Sequence, residues 1–411
     1  MEGQNLNYRS SNGLILNIKE DGIYRLPEFE FSANGGFYGF RLTKIQESCN
    51  ITIEQLPLYP GALVFDGVDD YGTCDNFPIL TKEKGYTVVA LRSYLAESIG
   101  YLVYNGTNAK QSAFAFERLD SLDTWSWGKN SSIRNSLPKL MSYQTSNSYN
   151  NNPISTGEVV ESNNIINVAY GGGYCNVAIW ELVFLDHDAT EEELTKIKDY
   201  FVKTYPWLFP DQAWTVTGKT NEDEDRATIA NITGNGNDLI LSNFGFIEGS
   251  GYNEEGEYAG YLVTDGVDDK TASSIFKLGK DFTVVGEWEF LQDINNNSGL
   301  RKTSSFIIRN NASGLSLFIN RTSQTTIVFN VKSLKAFCSN GLLYKNDWTE
   351  QIDTASQLTT SSNSKLLIAF RDDGVTEYDK FAFKNLAIYP MVLSKDDCIK
   401  AYNYLQTLKA K

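Results

Sequence analysis

The sequence contains few prolines, cysteines and histidines, and its acidic residues outnumber its basic ones. Its 411 residues include nine prolines, five cysteines and one histidine, and 51 acidic residues outnumber 36 basic ones. The formal net charge of −15 would repel DNA phosphates, so we expect no nucleic-acid partner. No run of about 18 apolar residues occurs, and we therefore expect no membrane insertion.

The start of the chain lacks the marks of a secretory signal. Residues 1–13, MEGQNLNYRSSNG, contain neither a basic stretch nor an apolar one. We therefore expect synthesis in a cytoplasm and, for a role outside the cell, release by another route.

The shortage of cysteine and histidine restricts the chemistry that the chain can perform. The number of cysteines is odd and they are widely spaced, which fits neither a zinc site nor a secreted disulfide framework. Buried, reduced thiols are the simpler interpretation. Since His187 is the one histidine, a Ser-His-Asp or Cys-His set would have to include it.

What the sequence does contain is an internal repeat. Asp-Gly-Val-Asp-Asp occurs at Asp66–Asp70 and again at Asp265–Asp269, 199 residues later. A Thr-Val-Val pattern follows each copy, starting at Thr87 and at Thr283, within an apolar run that predicts a strand.

A strand, a turn and a helix mark the end of each copy. Residues 177–201 align without a gap with residues 381–405. Thr190 and Ser394 occupy matching N-cap positions, and an acidic residue follows each of them three places later, as in a capping box. The interval from motif to cap is 124 residues in one copy and 129 in the other, which indicates duplication of a whole domain.

The segments between these markers predict an all-β protein. Short apolar runs alternate with Asn-, Ser- and Gly-rich stretches, and 23 Tyr and 23 Phe favour strands. We predict a small N-terminal β module at residues 1–56 and two β-sandwiches at residues 57–206 and 207–411, each closed by a C-terminal helix. Alternatively, residues 1–56 supply missing strands of the first sandwich.

These motifs resemble those of a known superfamily. Phe-Asp-Gly-Val-Asp-Asp near the start of a copy and the strand-turn-helix at its end are similar to the concanavalin A-like lectin/glucanase superfamily, in its laminin-G-like branch. The resemblance runs from near Leu56 to the end of the chain. It implies two tandem concanavalin A-like jelly-roll sandwiches, each built from two antiparallel sheets.

A narrower resemblance lies in residues 221–246, NEDEDRATIANITGNGNDLILSNFGF. This stretch is similar to proteins of tailed bacteriophages of gut bacteria, including the crAss-like group, and of prophages in those hosts. It implies a non-enzymatic structural protein on the virion exterior: a head fibre, a decoration protein or a tail-associated protein. The implied partners are capsid or tail proteins, host or mucus glycans, and further copies of the chain in a homo-oligomer.

The aspartates of the two motifs are candidate calcium ligands, and no other cofactor is expected. Calcium prefers oxygen ligands, and the resemblance to laminin-G-like domains implies calcium at one sandwich edge. The alternative is turn architecture, in which Asp accepts hydrogen bonds from its own backbone. The candidate ligands are Asp66, Asp69 and Asp70 in the first copy and Asp265, Asp268 and Asp269 in the second.

Four aromatic residues are candidates for carbohydrate binding. Trp125 and Trp127 alternate, so both would face one side of a strand, where they either stack a sugar ring or fill the core. Tyr143 and Tyr149 lie in a polar stretch that resembles a loop. These residues support the alternative function, a carbohydrate-binding adhesin or lectin-like module.

A glycoside hydrolase or lyase is the third alternative, and the sequence argues against it. Retaining glucanases of the superfamily carry Glu-x-Asp-x-x-Glu, with its carboxylates on one face of a strand. The pairs Glu28/Glu30 and Glu287/Glu289 lack the central Asp and the third Glu, and they are typical of solvated strand faces. We expect His187 to be a turn residue. The sequence therefore predicts that the chain is not an enzyme.

Overall fold

The described part of the chain is almost entirely β-structure. Near the start, β1 (Asn5–Ser10), β2 (Gly13–Ile18) and β3 (Tyr38–Thr43) form an antiparallel sheet with β1 in the middle. Beyond these three backbone segments, the computed structural model describes residues 57–96, 99–106, 112–118, 123–132, 140–292, 297–302, 305–311, 314–319, 327–329, 333–352, 362–371 and 377–410.

The chain forms two compact units. The first unit comprises Tyr59–Leu208, and the second comprises Phe209–Lys411 together with Met1–Leu58. The domain limits at 1–56, 57–206 and 207–411 stay a prediction.

The first unit contains two six-stranded antiparallel sheets around one core. Val88 and Ala90 enter this core from one sheet, and Phe114 and Phe116 enter it from the other, in keeping with the two-residue period of a strand. The elements are β4 (Leu63–Asp66), β5 (Gly72–Cys74), β6 (Thr87–Tyr94), β7 (Tyr101–Asn105), β8 (Phe114–Arg118), β9 (Asp123–Ser126), β10 (Lys129–Ser132), β11 (Met141–Thr145), β12 (Ser148–Tyr149), β13 (Asn152–Pro153), β14 (Ile166–Val168), β15 (Asn176–Leu185) and α1 (Glu191–Thr204). The sheet orders are β10-β9-β8-β7-β14-β5 and β13-β12-β11-β6-β15-β4.

The first unit ends with a 3-10 turn at Pro206–Leu208, and the second unit repeats the two-sheet plan with more strands. Its elements are β16 (Gln212–Thr215), β17 (Thr228–Ile229), β18 (Leu239–Ser242), β19 (Gly251–Tyr252), β20 (Leu262–Val263), β21 (Lys270–Ser273), β22 (Phe276–Leu278), β23 (Thr283–Phe290), β24 (Asn297–Lys302), β25 (Phe306–Asn311), β26 (Gly314–Ile319), β27 (Ile327–Phe329), β28 (Ala336–Cys338), β29 (Leu342–Tyr344), β30 (Glu350–Ile352), β31 (Ser362–Ser364), β32 (Leu366–Ile368), β33 (Phe370–Arg371), β34 (Glu377–Tyr378), β35 (Phe381–Tyr389) and α2 (Lys395–Leu405).

The strands of the second unit form two large antiparallel sheets and two small ones. One large sheet has the order β19-β20-β35-β23-β28-β29-β30, with β16 also paired to β35, and the other has the order β17-β18-β21-β32-β24-β25-β26-β27. Strand β22 pairs with β31, and β33 pairs with β34. The core lies between the large sheets, with Val284 and Trp288 from one and Leu300 and Ile308 from the other.

The predicted all-β fold is confirmed. Among the described residues the α-helices are α1 and α2, and neither is long and apolar enough to cross a membrane. Both helices begin at the predicted N-caps: Thr190 accepts a hydrogen bond from the Glu193 N–H, and Ser394 accepts one from the Asp397 N–H. In α1 the Glu193 side chain also accepts from the Thr190 N–H, which completes the capping box.

The threonine of each Thr-Val-Val pattern fastens the turn that precedes the helix. Thr87 Oγ1 donates to the His187 carbonyl at 2.8 Å and accepts from the Ala189 N–H at 2.7 Å. In the second copy, Thr283 Oγ1 makes the equivalent pair of bonds at 2.8 and 2.9 Å. A hydroxyl that both donates and accepts satisfies two backbone groups of the turn at once.

The core of the first unit contains an ion pair. The side chains of Arg92 on β6 and Glu117 on β8 are 0% and 2% exposed, and an Arg92 guanidinium nitrogen lies 2.5 Å from Glu117 Oε1. Ser142 and Tyr149 donate hydrogen bonds to the same carboxylate, with the Tyr149 hydroxyl at 2.6 Å. The carboxylate therefore has a full set of donors, which is the condition for a charge to remain buried.

Glu117 itself has an unusual backbone. Its φ is +52°, in the left-handed region that is uncommon for a residue with a side chain. The contacts of its carboxylate offset the strain that this conformation costs.

We predict that Glu117→Gln lowers the free energy of unfolding of the first unit by about 3–5 kcal/mol, because Arg92 then keeps a buried charge without its partner. Urea unfolding followed by tryptophan fluorescence measures the change. The control is Glu158→Gln, whose side chain in the same unit is 100% exposed, and we expect no change there. Equal effects of the two substitutions would contradict the prediction.

Candidate functional site

The Asp-Gly-Val-Asp-Asp motif of the first copy closes a turn with its own carboxylates. Asp66 Oδ1 accepts hydrogen bonds from the N–H groups of Val68 at 2.7 Å and Asp69 at 3.4 Å. Asp70 Oδ2 accepts one from the Asp66 N–H at 3.3 Å. Gly67 has φ +79°, and a Cβ there would lie 2.8 Å from the Asn176 Cβ, so the position favours glycine.

The second copy has the same turn. Asp265 Oδ1 accepts from the N–H groups of Val267 at 2.8 Å and Asp268 at 3.3 Å, and Asp269 Oδ2 accepts from the Asp265 N–H at 2.8 Å. Gly266 has φ +78°. The two copies therefore share their backbone shape and their hydrogen bonds as well as their sequence.

Each turn gathers its three carboxylates. One oxygen of each aspartate lies within 4.8 Å of the others, in Asp66, Asp69 and Asp70 and likewise in Asp265, Asp268 and Asp269. The hydrogen bonds fit the turn interpretation, and each carboxylate keeps further lone pairs for a cation. The calcium site therefore stays a prediction beside the structural role.

Asp269 differs from its counterpart Asp70 in burial. Asp269 is 1% exposed, and its second oxygen accepts a hydrogen bond from Ser250 Oγ at 3.1 Å, whereas Asp70 is exposed. Burial raises the pKa of Asp269 to about 6. The folded-state pKa lies above the value of about 4 that Asp has in an unfolded chain. The protonated carboxyl group of Asp269 therefore stabilises the folded state fully below about pH 4, and this stabilisation is lost as the pH rises through about 6.

We predict that Asp269→Asn makes the second unit more stable than the wild type at pH 7 and that this difference disappears near pH 4. The amide can still accept from the Asp265 N–H and can donate to Ser250, so the variant loses the buried charge but keeps the turn. Thermal unfolding at a series of pH values measures the difference, with Asp70→Asn as the control. A difference that does not depend on pH would rule out this role of Asp269.

Repeating the same unfolding experiment with excess calcium distinguishes a calcium site from turn architecture alone. A bound ion favours the ionised carboxylate and would stabilise the wild type at pH 7. No change on adding calcium would leave only the turn architecture.

The four predicted carbohydrate-binding residues do not form one surface. Trp127 is 1% exposed and belongs to the core, and Tyr149 is buried with its hydroxyl on Glu117. Trp125 and Tyr143 are half-buried. The prediction that Trp125 and Trp127 share a face is wrong, because β9 ends at Ser126 and Trp127 has φ +50°, which turns its ring inward.

The expected loop around Tyr143 and Tyr149 is also wrong. Tyr143 lies on β11 and Tyr149 on β12, which pair as neighbouring strands. Serine and asparagine in this stretch indicated a loop, but their side chains hydrogen-bond within the hairpin, as the Asn150 side chain does to the Tyr143 N–H at 2.9 Å. A carbohydrate role for Trp125 and Tyr143 stays a prediction.

Three tyrosines that the sequence analysis did not single out form a surface group, the tyrosine cluster: Tyr71, Tyr170 and Tyr174. The ring centroid of Tyr71 lies 5.2 Å from that of Tyr170 and 6.2 Å from that of Tyr174. The centroids of Tyr170 and Tyr174 are 5.3 Å apart. Tyr71 is 54% exposed and Tyr170 is 37% exposed. Exposed aromatic rings that pack on one another are typical of binding surfaces.

Strand pairing brings the tyrosine cluster together. Tyr71 follows the acidic turn directly, and β5 begins at the next residue. Strand β14 pairs with β5, and Val168 lies opposite Gly72. This register places Tyr170, two residues after Val168, near Tyr71, which directly precedes Gly72. Tyr170 and Tyr174 bridge each other across a glycine run. The signal in the sequence is therefore Tyr-Gly-Gly-Gly-Tyr at residues 170–174.

A second aromatic group lies against the glycine run that joins Tyr170 to Tyr174. Tyr101 and Tyr104 stack with centroids 6.1 Å apart, and Trp125 Nε1 donates a hydrogen bond to the Tyr101 hydroxyl. A Cβ on Gly171 would lie 3.1 Å from the Tyr101 ring, so glycine lets the loop rest closely on these side chains. Trp125, one of the predicted residues, packs against this buried pair of tyrosines.

Glu287 lies in a polar network. Its carboxylate accepts hydrogen bonds from the Tyr261 hydroxyl at 2.5 Å and the Tyr402 hydroxyl at 3.0 Å, and Lys384 Nζ lies 3.7 Å away. Burial alone would raise its pKa, but Lys335, Lys384 and the two hydroxyls lower it. The expected solvated strand face is therefore wrong for Glu287, which is held ionised beneath α2. Glu28 and Glu30 lie outside the described residues.

His187 lies in the turn before α1, as predicted. Its ring nitrogens are 3.2 Å from Asp186 Oδ1 and 3.1 Å from Glu193 Oε1. Hydrogen bonds with Asp186 and Glu193 raise its pKa. The histidine therefore supports the capping box of α1.

Comparison with known proteins finds similar structures but no matching family. No family model matches the chain, and neither does any curated protein. A solved structure of Trypanosoma rangeli sialidase in complex with sialic acid matches with 11% identity and a TM-score of 0.34, over 62% of this chain and 42% of that chain. This chain therefore spans well under two thirds of the sialidase.

Two other similar structures differ from the sialidase in size. Domain 4 of AbnA, a GH43 extracellular arabinanase from Geobacillus stearothermophilus in complex with arabinotriose, matches with 12% identity and a TM-score of 0.30, over 47% of this chain and 98% of that domain. A structure of botulinum neurotoxin type C, whose cell entry is dependent upon interaction with two ganglioside molecules, matches with 13% identity and a TM-score of 0.32, over 50% of this chain and 53% of that chain. With TM-scores well below 0.5, these likenesses assign no superfamily to this chain, and the resemblance to the concanavalin A-like superfamily stays a prediction.

The prediction that the chain is not an enzyme is contradicted by this comparison, because similar structures include sialidases and part of an arabinanase. That prediction is withdrawn. The missing Glu-x-Asp-x-x-Glu strand excludes one arrangement of catalytic carboxylates and leaves others open. At TM-scores of 0.30–0.36 the likeness assigns no reaction in its place.

Proposed function

We propose that this chain is a glycan-binding protein displayed on the exterior of a bacteriophage particle, and that the tyrosine cluster of the first unit contacts the sugar. The observation that carries the glycan-binding part is the mutual packing of three tyrosine rings, two of which are 54% and 37% exposed.

The chemistry of the tyrosine cluster suits a sugar. A pyranose ring has apolar faces of C–H groups and a rim of hydroxyls, and a tyrosine ring offers an apolar face with a polar hydroxyl at its tip. The three ring centroids lie 5.2–6.2 Å from one another and the ring planes are tilted by 38–48°, so the rings form a shaped apolar patch and not a flat one. Binding there would remove exposed aromatic area from water.

The acidic turn supplies polar groups next to these rings. Asp69 and Asp70 are exposed and immediately precede Tyr71 in the chain. Carboxylates accept hydrogen bonds from sugar hydroxyls, and a calcium ion at the turn would coordinate such hydroxyls. A sugar seated on the tyrosine cluster would thus meet both an apolar platform and oxygen acceptors.

The support of the tyrosine cluster favours binding with little rearrangement. The β14–β5 pairing fixes Tyr71 relative to Tyr170, and Gly171 rests on the stacked Tyr101 and Tyr104. Because the rings are already ordered in the unbound chain, a ligand loses less free energy to ordering them.

We predict that the purified protein binds a subset of glycans on an array and that Tyr71→Ala and Tyr170→Ala each weaken this binding about tenfold or more, since a central interface aromatic contributes about 1.4 kcal/mol or more. The matched control is Tyr200→Ala, which removes a 50% exposed tyrosine from α1 of the same unit. Mass spectrometry of the glycan after incubation distinguishes binding from cleavage.

Two results would overturn this assignment. One is an array without binding in the presence and in the absence of calcium. The other is an equal loss of binding in the Tyr200→Ala control, which would show that the effect does not depend on the tyrosine cluster.

The position on a phage particle rests on the similarity of residues 221–246 to proteins of tailed phages of gut bacteria. A displayed sandwich that holds glycans would keep a particle close to mucus or to a bacterial surface. Capsid or tail proteins and further copies of the chain would be its partners in the particle.

We predict that mass spectrometry of gradient-purified particles detects this chain and that antibodies against it label intact particles. An abundant host cytoplasmic protein, measured in the same fractions, controls for carry-over. Particles that carry no more of the chain than of the host protein would refute the virion role and would leave the glycan-binding proposal standing.

A further inference from the structure

The tyrosine cluster is bordered by negative charge. Asp66, Asp69 and Asp70 belong to the acidic turn, Asp66–Asp70, that directly precedes Tyr71, and all three side chains are exposed. One oxygen of each carboxylate lies within 4.8 Å of the others. The hydrogen bond from the Val68 N–H holds the pKa of Asp66 below its usual range, so Asp66 is ionised at neutral pH.

No basic side chain offsets this charge in the part of the chain that the structure describes. None of the ion pairs there includes one of the three aspartates. No Lys or Arg there lies over a ring of the tyrosine cluster, although such cations lie over other rings. Because carboxylates and phosphates are recognised mainly by Arg and Lys, this surface lacks the partner that an anionic sugar needs.

A second neighbour of the tyrosine cluster is apolar. Ile99 is 57% exposed. Its Cγ1 occupies the space that a Cβ on Gly173 would need, so the side chain rests on the glycine run between Tyr170 and Tyr174. A hydrocarbon side chain cannot donate a hydrogen bond to an anionic group. The acidic turn therefore repels such a group, and Ile99 offers it no compensating contact.

We propose that the tyrosine cluster selects uncharged sugars and amino sugars and rejects sugars that carry a carboxylate, sulfate or phosphate group. The charge of Asp66, Asp69 and Asp70 sets this selection. The inference rests on the proposed glycan-binding function and adds to it the class of sugar that is bound.

Coulomb repulsion gives the expected size of the selection and its dependence on salt. Three like charges within several ångströms of an exposed anionic group should weaken its binding roughly tenfold at low ionic strength. The Debye length falls from about 10 Å in 0.1 M salt to about 3 Å in 1 M salt. The discrimination should therefore shrink as sodium chloride is added, whereas the apolar contact with the tyrosine rings is not screened.

The test compares related glycans on one array in the presence of EDTA, which keeps divalent cations from offsetting the charge of the turn. The probes are sialylated, sulfated and uronic acid-containing glycans with their uncharged parents, and glucosamine oligomers with their N-acetylated parents. We expect each anionic glycan to bind roughly tenfold more weakly than its parent at low salt. We expect the glucosamine oligomers to bind at least as tightly as theirs.

Substitution of Asp69 tests whether the turn causes this preference. The hydrogen bonds of the turn do not use the Asp69 side chain, so Asp69→Asn and Asp69→Lys change the charge and keep the turn. We expect the ratio of parent to anionic affinity to fall in Asp69→Asn and to fall further in Asp69→Lys. The matched control is Asp199→Lys, which alters an exposed aspartate on α1 of the same unit and should leave the ratio unchanged.

The outcomes distinguish this inference from the function on which it rests. Anionic glycans that bind as tightly as their parents, or a preference that Asp69→Lys leaves unchanged, would overturn the selection by charge and leave glycan binding intact. An array without binding to any probe would refute the glycan-binding function, and the selection with it.

Discussion

The pairing between the closing strand of each copy and its Thr-Val-Val strand is the constraint on which both sandwiches depend. β15 pairs with β6 and β35 pairs with β23, and in each pair the register shifts once, at Trp180 and at Lys384, which align in the repeat. Each pair lies inside its sheet, so its register decides which side chains enter the core. The threonine at the start of the paired strand then fastens the turn, and this sets where the closing helix begins.

The two cores carry different kinds of residue at one position that aligns in the repeat. Arg92 and Trp288 both stand five residues after the threonine of the Thr-Val-Val pattern. Arg92 meets Glu117 in a buried ion pair, whereas Trp288 stacks on Phe381 with centroids 5.7 Å apart. The apolar solution has no desolvation penalty for charge, while the ion pair is stable only with its full set of hydrogen bonds. At this position the first core therefore depends on the hydrogen bonds of a single carboxylate.

Local patterns in the sequence were enough to predict the duplication, the strands at both ends of each copy and the capped helices, because each depends on neighbours along the chain. The tyrosine cluster could not be predicted, because it depends on which strands pair across the sheet. Trp127 illustrates a third limit: a period of two holds only while the strand continues, and a single residue at φ +50° reverses the side that a ring faces.

The same frame explains why we propose glycan binding for the first copy alone. Ala169 and Ala369 occupy matching positions, with φ of +58° and +64°, so Tyr170 and Tyr174 correspond to Phe370 and Tyr378, which also pair. Lys270 stands where the first copy has Tyr71, and its ammonium group lies 5.8 Å from the Tyr378 ring centroid. Phe370 is buried, at 7% exposed. The second copy therefore has no exposed apolar patch at this place, because Lys270 lies near the Tyr378 ring and Phe370 is buried. The acidic turn is present in both copies, whereas the exposed tyrosine rings are present in the first.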